Sequence, residues 1–283
     1  MAICIAIAVG KGGVGKTATT TNLAVAMAQD NNKVLVVDTD AQANTTMFLT
    51  GVKLVEKDFK GKAIFDMMRA YGIVDTQHFV HPSHVHDNIN VIVSNASTPL
   101  INQQIDTLAK NSGIDKEEFL AAALSEVADD YDFILIDTPP AQDDLMVQNA
   151  IVASDYIIMP FKTEEQSVDS LKITNELRME LAEKHGETKI LGILPTVVEK
   201  TALTSYYLDF AFVTMDPEEN PEYETLAKPF GEKLFRTKIR KGNIINESTL
   251  ERKPAVLVNK KANPSKDYYE LWEEIKERLK QDN

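Results

Sequence analysis

Short runs of apolar residues recur along the chain at Ile3–Val9, Lys33–Val37, Ile89–Val93, Phe133–Ile136, Tyr156–Met159 and Ile190–Leu194. Runs this brief with no polar alternation predict strands covered on both faces. Between them, helical patterns span about 17–29, 99–110, 116–129, 143–153 and 165–184. Strand and helix in turn predict an α/β fold, a mainly parallel twisted sheet flanked by helices on both faces. No repeat, low-complexity tract or linker breaks the pattern, so residues 1–283 are read as one domain. The stretch from about 46 to 88 is the least regular. Near the end, Tyr268, Leu271, Trp272, Ile275 and Leu279 recur at helical spacing and read as a core-facing stripe.

Composition narrows the class. With 43% hydrophobic and 26% charged residues, the chain can bury a core, which excludes wholesale disorder. No apolar run approaches the roughly 20 residues of a spanning helix. The run Ala2–Val9 lacks the basic flank and the length of a signal peptide, so a cytoplasmic protein without membrane contact is expected. Cys4 is the one cysteine, which excludes a disulfide framework or a cysteine-built metal cluster within one chain.

The net charge of −13 argues at first against a polyanionic partner. Its distribution changes the picture. The segment 228–266 holds eleven basic residues and three acidic ones, a local +8, while acidic residues crowd a Pro-punctuated loop at 216–224. Charge alone leaves open whether 228–266 is a solvated face or a docking surface.

Directly after the first strand, Gly10-Lys11-Gly12-Gly13-Val14-Gly15-Lys16-Thr17 satisfies G-x-x-x-x-G-K-[ST] and opens a helix. A polyphosphate needs several backbone N–H groups converging on it, and glycines permit that curl. Gly12, Gly13, Val14, Gly15, Lys16, Thr17 and Ala18 are therefore the candidate nucleotide cradle. Lys16 would neutralise the β and γ oxygens, and Thr17 would ligate Mg²⁺. Lys11 is unusual: a second lysine in the loop costs repulsion with Lys16 unless a large negative charge lies between them, which a nucleoside triphosphate supplies.

The second predicted strand ends in Asp38-Thr39-Asp40, and the fourth in Asp137-Thr138-Pro139-Pro140. In a parallel sheet these ends lie beside the phosphate crevice, where carboxylates can reach metal or water. Asp38 and Asp40 can equally cap the following helix. His78, His81, His84 and His86 have a metal-like spacing, but lack thiol partners or a helix beneath them and read as a surface loop.

These motifs resemble the ParA/MinD superfamily, whose deviant Walker A loop reads Lys-Gly-Gly-Val-Gly-Lys-Thr, as residues 11–17 do. The resemblance runs over nearly the whole chain, including Met159-Pro160 followed by Glu164, and Thr237-Lys238-Ile239-Arg240-Lys241 followed by Glu247. The chain departs from the family's D-x-D-P-Q-G-N at Ala41 and Ala43, and has Arg240 where a proline is usual. The resemblance implies a weak ATPase using ATP and Mg²⁺. In it Lys11 reaches across a nucleotide-sandwich homodimer to the partner's phosphates, Asp40 polarises the attacking water, and Asp38 and Asp137 organise Mg²⁺.

Relatives can be separated by charge and cysteine. MinD-like members end in a basic lipid-binding helix, whereas residues 270–283 hold five acids and three bases. Nitrogenase-reductase-like members need two cluster cysteines per chain. ParA/Soj-type partition ATPases bind nonspecific DNA through basic residues of the C-terminal third, which here implies Lys238, Arg240, Lys241, Arg252 and Lys253. With the first strand predicted from Ile3, an operator-reading domain ahead of it is not expected. The resemblance thus implies a nucleoid-associated ATPase that segregates a plasmid or chromosome, released from DNA when a ParB-like centromere-binding protein stimulates hydrolysis. Two alternatives remain: a relative that positions another cargo, such as a protein organelle or a division or polar complex, and a metabolic P-loop ligase or kinase.

Overall fold

The computed structural model describes residues 1–52, 55–141, 144–211 and 230–282. The acidic loop at 216–224 and Lys228 lie outside the described residues. Seven strands form one sheet: β1 (Ile3–Ile7), β2 (Val34–Asp38), β3 (Val80–Pro82), β4 (Ile89–Ile92), β5 (Phe133–Asp137), β6 (Tyr156–Phe161) and β7 (Lys189–Pro195). Their order is β3-β4-β2-β5-β1-β6-β7. Every pairing is parallel except β3 with β4. All six apolar runs are strands, displaced by a residue or two at their ends. The strand that sequence missed is β3, three residues long and carrying His81 and Pro82. A proline without an N–H is tolerated at such an edge.

The sheet is covered on both sides, as continuous apolar strands require. One face packs α4 (Ile64–Arg69), α5 (Ile101–Ser112), α6 (Phe119–Ser125), α7 (Leu145–Val152) and α8 (Glu165–His185). The other packs α1 (Lys16–Gln29) and the C-terminal helix Asn263–Asp282. Tyr268, Leu271, Trp272, Ile275 and Leu279 all belong to this second core, so the apolar stripe points inward. Trp272 also donates its indole N–H to Asp30 at 2.8 Å, locking the helix onto the end of α1. Among the described residues, no helix is long and apolar enough to cross a membrane.

Chain direction sets the position of the crevice. From β1 the chain crosses to β2 on one side of β5, whereas β6 and β7 are added on β1's other flank. Ligands of open parallel sheets sit at such a switch point, beyond the carboxyl ends of the strands. The irregular stretch 46–88 resolves into α2 (Asn44–Thr50), α3 (Val55–Asp58), α4, a 3₁₀ turn (Thr76–Phe79) and β3. Elements of three to seven residues are too short to show a period, and tertiary packing specifies them.

Past β7, the segment 234–241 runs alongside that strand through isolated parallel bridges at Ile193–Leu234 and Val198–Arg240. The Phe235 ring packs against Gly192, where an added Cβ would stand 2.2 Å from it. Two buried carboxylates of the C-terminal helix strap this segment down. Asp267 accepts the Arg240 backbone N–H at 2.8 Å and its guanidinium at 3.0 Å. Glu274 accepts the N–H groups of Arg236 (2.9 Å) and Thr237 (2.8 Å).

Candidate active site

Gly15 ends the loop in a left-handed conformation (φ 90°) and is the N-terminal boundary of α1, which has no side-chain cap and no acidic residue in its first turn. Unbonded amide N–H groups at a helix start are donors waiting for an anion. Gly13 also has positive φ (72°), and both Gly12 and Gly13 face solvent, so the loop is an open cradle. Val14 is buried and tied to β7, because its carbonyl accepts the Thr196 hydroxyl at 2.7 Å.

Lys16 is buried, and its ammonium donates to the carbonyls of Val9 (3.1 Å) and Lys11 (2.8 Å). Burial lowers its pKa, with Asp137 and Asp40 opposing. Carbonyl dipoles only partly replace water around such a charge, so the ammonium is poised for a stronger anion. Lys11 points elsewhere. Its ammonium pairs with Glu164, at the start of α8, at 2.8 Å. That bond holds the Glu164 carboxyl below the usual carboxylate range. Lys162, at the end of β6, is a third cation by the loop: a Cβ on Gly13 would lie 3.7 Å from its Nζ.

Asp38 and Asp137 face each other in register at the ends of adjacent strands. Both are almost wholly buried. Asp137 accepts the hydroxyls of Thr17 (2.8 Å) and Thr45 (2.7 Å). Asp38 accepts the Thr46 N–H and hydroxyl, each at 2.7 Å, and the Asp40 N–H at 3.1 Å. Burial pushes both carboxyl groups up, and for Asp38 the neighbouring Asp137 adds to the push. A divalent cation is the natural counter-charge for two desolvated carboxylates beside a threonine hydroxyl, so this pair fits magnesium.

Asp40 does not share that buried shell. It is half-exposed on the loop after β2, and its Oδ1 accepts the Gln42 N–H at 2.9 Å. Ala43, where the family pattern has glycine, adopts the left-handed region (φ 52°) just before α2. That conformation costs an L-residue roughly 1 kcal/mol, which accounts for the usual glycine.

Sequence reasoning missed Thr45 and Thr46, which orient the two buried carboxylates, and Glu164 as the holder of Lys11. It also left the base site open. Beside Gly15 and Ala18 is a cavity of about 200 Å³ lined by Val197, Ile239, Asn243, Asn246 and Tyr268, with a size and apolar–amide lining suited to a nucleobase.

The AAA domain family matches residues 2–188, across the phosphate loop, both strand-end carboxylates and α8. The chain belongs to that family, as a ParA/MinD-type P-loop ATPase. The sporulation initiation inhibitor protein Soj of Bacillus subtilis is 29% identical over 246 residues, 86% of either chain. A putative plasmid partition protein of Borrelia burgdorferi, solved with AMPPNP, superposes with a TM-score of 0.72 at 25% identity, covering all of both chains. Apo McdA of Cyanothece shares the fold, with a TM-score of 0.77 at 21% identity over 99% of this chain and 100% of that one. As a ParA/MinD-type protein, the chain is an ATPase.

The residues implied for DNA contact fare unequally in this P-loop ATPase. Lys238 and Lys253 are exposed. Arg240 is clamped by Asp267, Lys241 pairs with Glu199 at 2.9 Å, and Arg252 is half-buried at the left-handed end of the helix Ile244–Glu251. Lys260, Lys261 and Lys266 are further exposed cations of the same segment. The histidine loop does not gather a metal site. His81 and His84 bond the backbone carbonyls of Lys62 (3.0 Å) and Leu49 (2.9 Å), and His86 accepts the Asn88 N–H at 3.1 Å.

Proposed function

We propose that the whole chain works as one ATPase domain that dimerises around ATP, holds nonspecific DNA in that form and releases it after hydrolysis, in the segregation of a plasmid or chromosome. The observation that carries this reading is Lys11, a second loop lysine that its own Lys16-bearing site does not use. Held at the loop mouth by Glu164, it is free to exchange that carboxylate for a phosphate of a second copy.

Within each copy, the Gly12–Gly15 amides and the start of α1 would bind the polyphosphate, with Lys16 neutralising it. Thr17, Asp137 and Asp38 would hold magnesium, which spreads the developing negative charge of phosphoryl transfer. Asp40, facing solvent at the crevice, would orient the attacking water. Catalysis of this kind is positioning and electrostatics, and a lysine supplied only by the partner makes turnover depend on dimerisation.

DNA contact is assigned to Lys238 and Lys253, with Lys260, Lys261 and Lys266 extending the patch, and two protomers would present two such patches. The 29% identity to Soj and the 25% identity to a putative plasmid partition protein support partition as the cargo class. A ParB-like centromere-binding protein is the expected stimulator of hydrolysis. The test is retardation of nonspecific DNA with ADP, ATP or a slowly hydrolysed analogue at several salt concentrations. If each dimer neutralises about five phosphates, log affinity should fall with log salt at a slope near −4.5, and only with triphosphate. Binding indifferent to nucleotide refutes the reading.

A further inference from the structure

Lys162 stands at the phosphate loop, and none of the roles described above uses it. It is the first residue past β6, and its backbone is fixed on both sides. The neighbouring Phe161 carbonyl accepts the Thr196 N–H at 2.8 Å, and the Lys162 carbonyl accepts the Glu164 N–H at 2.8 Å. The Thr196 hydroxyl that holds the Val14 carbonyl also lies 3.0 Å from the Phe161 carbonyl, so one residue ties the end of β6 to the loop. From this root the side chain reaches the loop, where a Cβ on Gly13 would stand 3.7 Å from Nζ. Gly13 itself faces solvent, which places the ammonium beside an open part of the cradle.

That ammonium is partly out of water and unspent. Lys162 is half-buried, and among the described residues its Nζ has neither a hydrogen bond nor an ion pair. The Lys11 bond, helped by the Lys162 charge, holds the Glu164 carboxyl below the usual carboxylate range. Two lysines thus act on one glutamate, Lys11 occupies it at 2.8 Å, and one positive charge is left over. Partial burial of an unpaired charge costs free energy that an arriving anion recovers.

Strand order says where such an anion would lie. β5 and β6 flank β1 on opposite sides. Asp137 at the end of β5, with Asp38 beyond it, forms the side that fits magnesium, so Lys162 belongs to the other side of the loop. A phosphate chain resting on the loop amides would lie between the two. A triphosphate carries one more negative charge than a diphosphate. An ammonium with no competing partner favours the more highly charged ligand.

We propose that Lys162 is a phosphate-binding residue of the ATPase site, gripping the phosphate chain opposite magnesium and favouring ATP over ADP before any second copy arrives. Its role rests on the reading of residues 10–17 as the phosphate site and needs neither dimerisation nor DNA.

The test is calorimetric titration of the full chain with Mg²⁺ and either ADP or a non-hydrolysed ATP analogue, at protein concentrations where sedimentation shows monomer. Lys162→Met keeps the apolar stem, so its melting temperature should match wild type. It should lose at least about 10-fold in affinity for the analogue and under about threefold for ADP. Lys162→Arg, which keeps the charge, should recover most of the analogue affinity. The same Lys162→Met loss should appear in a Lys11→Ala/Glu164→Gln background, which lacks both members of the ion pair and the lysine that a dimer would exchange. Lys16→Ala should lose both ligands; wild-type binding in that variant would remove the phosphate site, and the role of Lys162 with it. With Lys16→Ala behaving as expected, unchanged analogue affinity in Lys162→Met, an equal loss for ADP and analogue, or a loss that vanishes without Glu164 overturns the proposal.

Discussion

Lys11 and Glu164 form a 2.8 Å ion pair between the phosphate loop and the start of α8, and the lysine is the more buried partner (18% against 47% exposed). The pair occupies the ammonium that the proposed dimer needs. Breaking it is therefore part of the cost of association. A half-exposed pair contributes up to about 1 kcal/mol. Two such pairs break per dimer, so Glu164→Gln should strengthen ATP-dependent dimerisation by up to about 30-fold, measured by sedimentation at several protein concentrations. Weaker association in that variant would show that Glu164 acts in the dimer itself.

The basic segment divides into clamped and exposed residues, and substitutions should separate them. Arg240→Ala leaves the buried Asp267 carboxylate the backbone N–H of residue 240 but removes its guanidinium partner, and should cost roughly 1–3 kcal/mol of stability, visible as a lowered melting temperature. Lys238→Ala and Lys253→Ala should leave melting unchanged and each lower DNA affinity at moderate salt, with a shallower salt slope. Equal effects of all three on DNA affinity, at unchanged stability, would contradict this division.

Gly192 is required by Phe235, whose ring occupies the space of a side chain on β7. Gly192→Ala should displace Phe235 and loosen the strap carrying Lys238. Overpacking of this kind costs roughly 1–3 kcal/mol, or a melting temperature lower by about 5 °C in calorimetry.

If Asp38 and Asp137 hold the magnesium ion as proposed, nucleotide binding should depend on pH. Burial raises both carboxyl groups above the ordinary carboxylate value near 4. The folded chain therefore holds protons that the unfolded chain releases. This contribution to stability is complete below the ordinary value and is lost as pH rises toward the raised ones. A magnesium ion needs the ionised carboxylates, so its effect has the opposite slope. The melting temperature of the nucleotide-free chain should fall with rising pH across this window, while the gain on adding Mg²⁺ and ADP should widen. A gain independent of pH would mean that this pair does not receive the ion.

Much of this fold could be read from the chain because its central strands are buried on both faces, leaving continuous apolar runs that end in the aspartates of the site. The phosphate loop was legible for a related reason: backbone curvature needs glycine at fixed spacing. Thr45 and Thr46 were not, since they sit on a seven-residue helix with no period and act only through strands distant in sequence. Gly192 looked like one more residue of an apolar strand until Phe235 was seen against it. The partners of Arg240 and Lys241, Asp267 and Glu199, were not legible either, because charge on a sequence does not reveal what it pairs with.

The central claim is that two copies join around ATP with Lys11 exchanged between them. Sedimentation of the chain saturated with magnesium and a non-hydrolysed ATP analogue tests it most directly. A dimer that returns to monomer in ADP, and that Lys11→Ala cannot form, is the expected result. A chain that stays monomeric with the analogue bound would contradict the account.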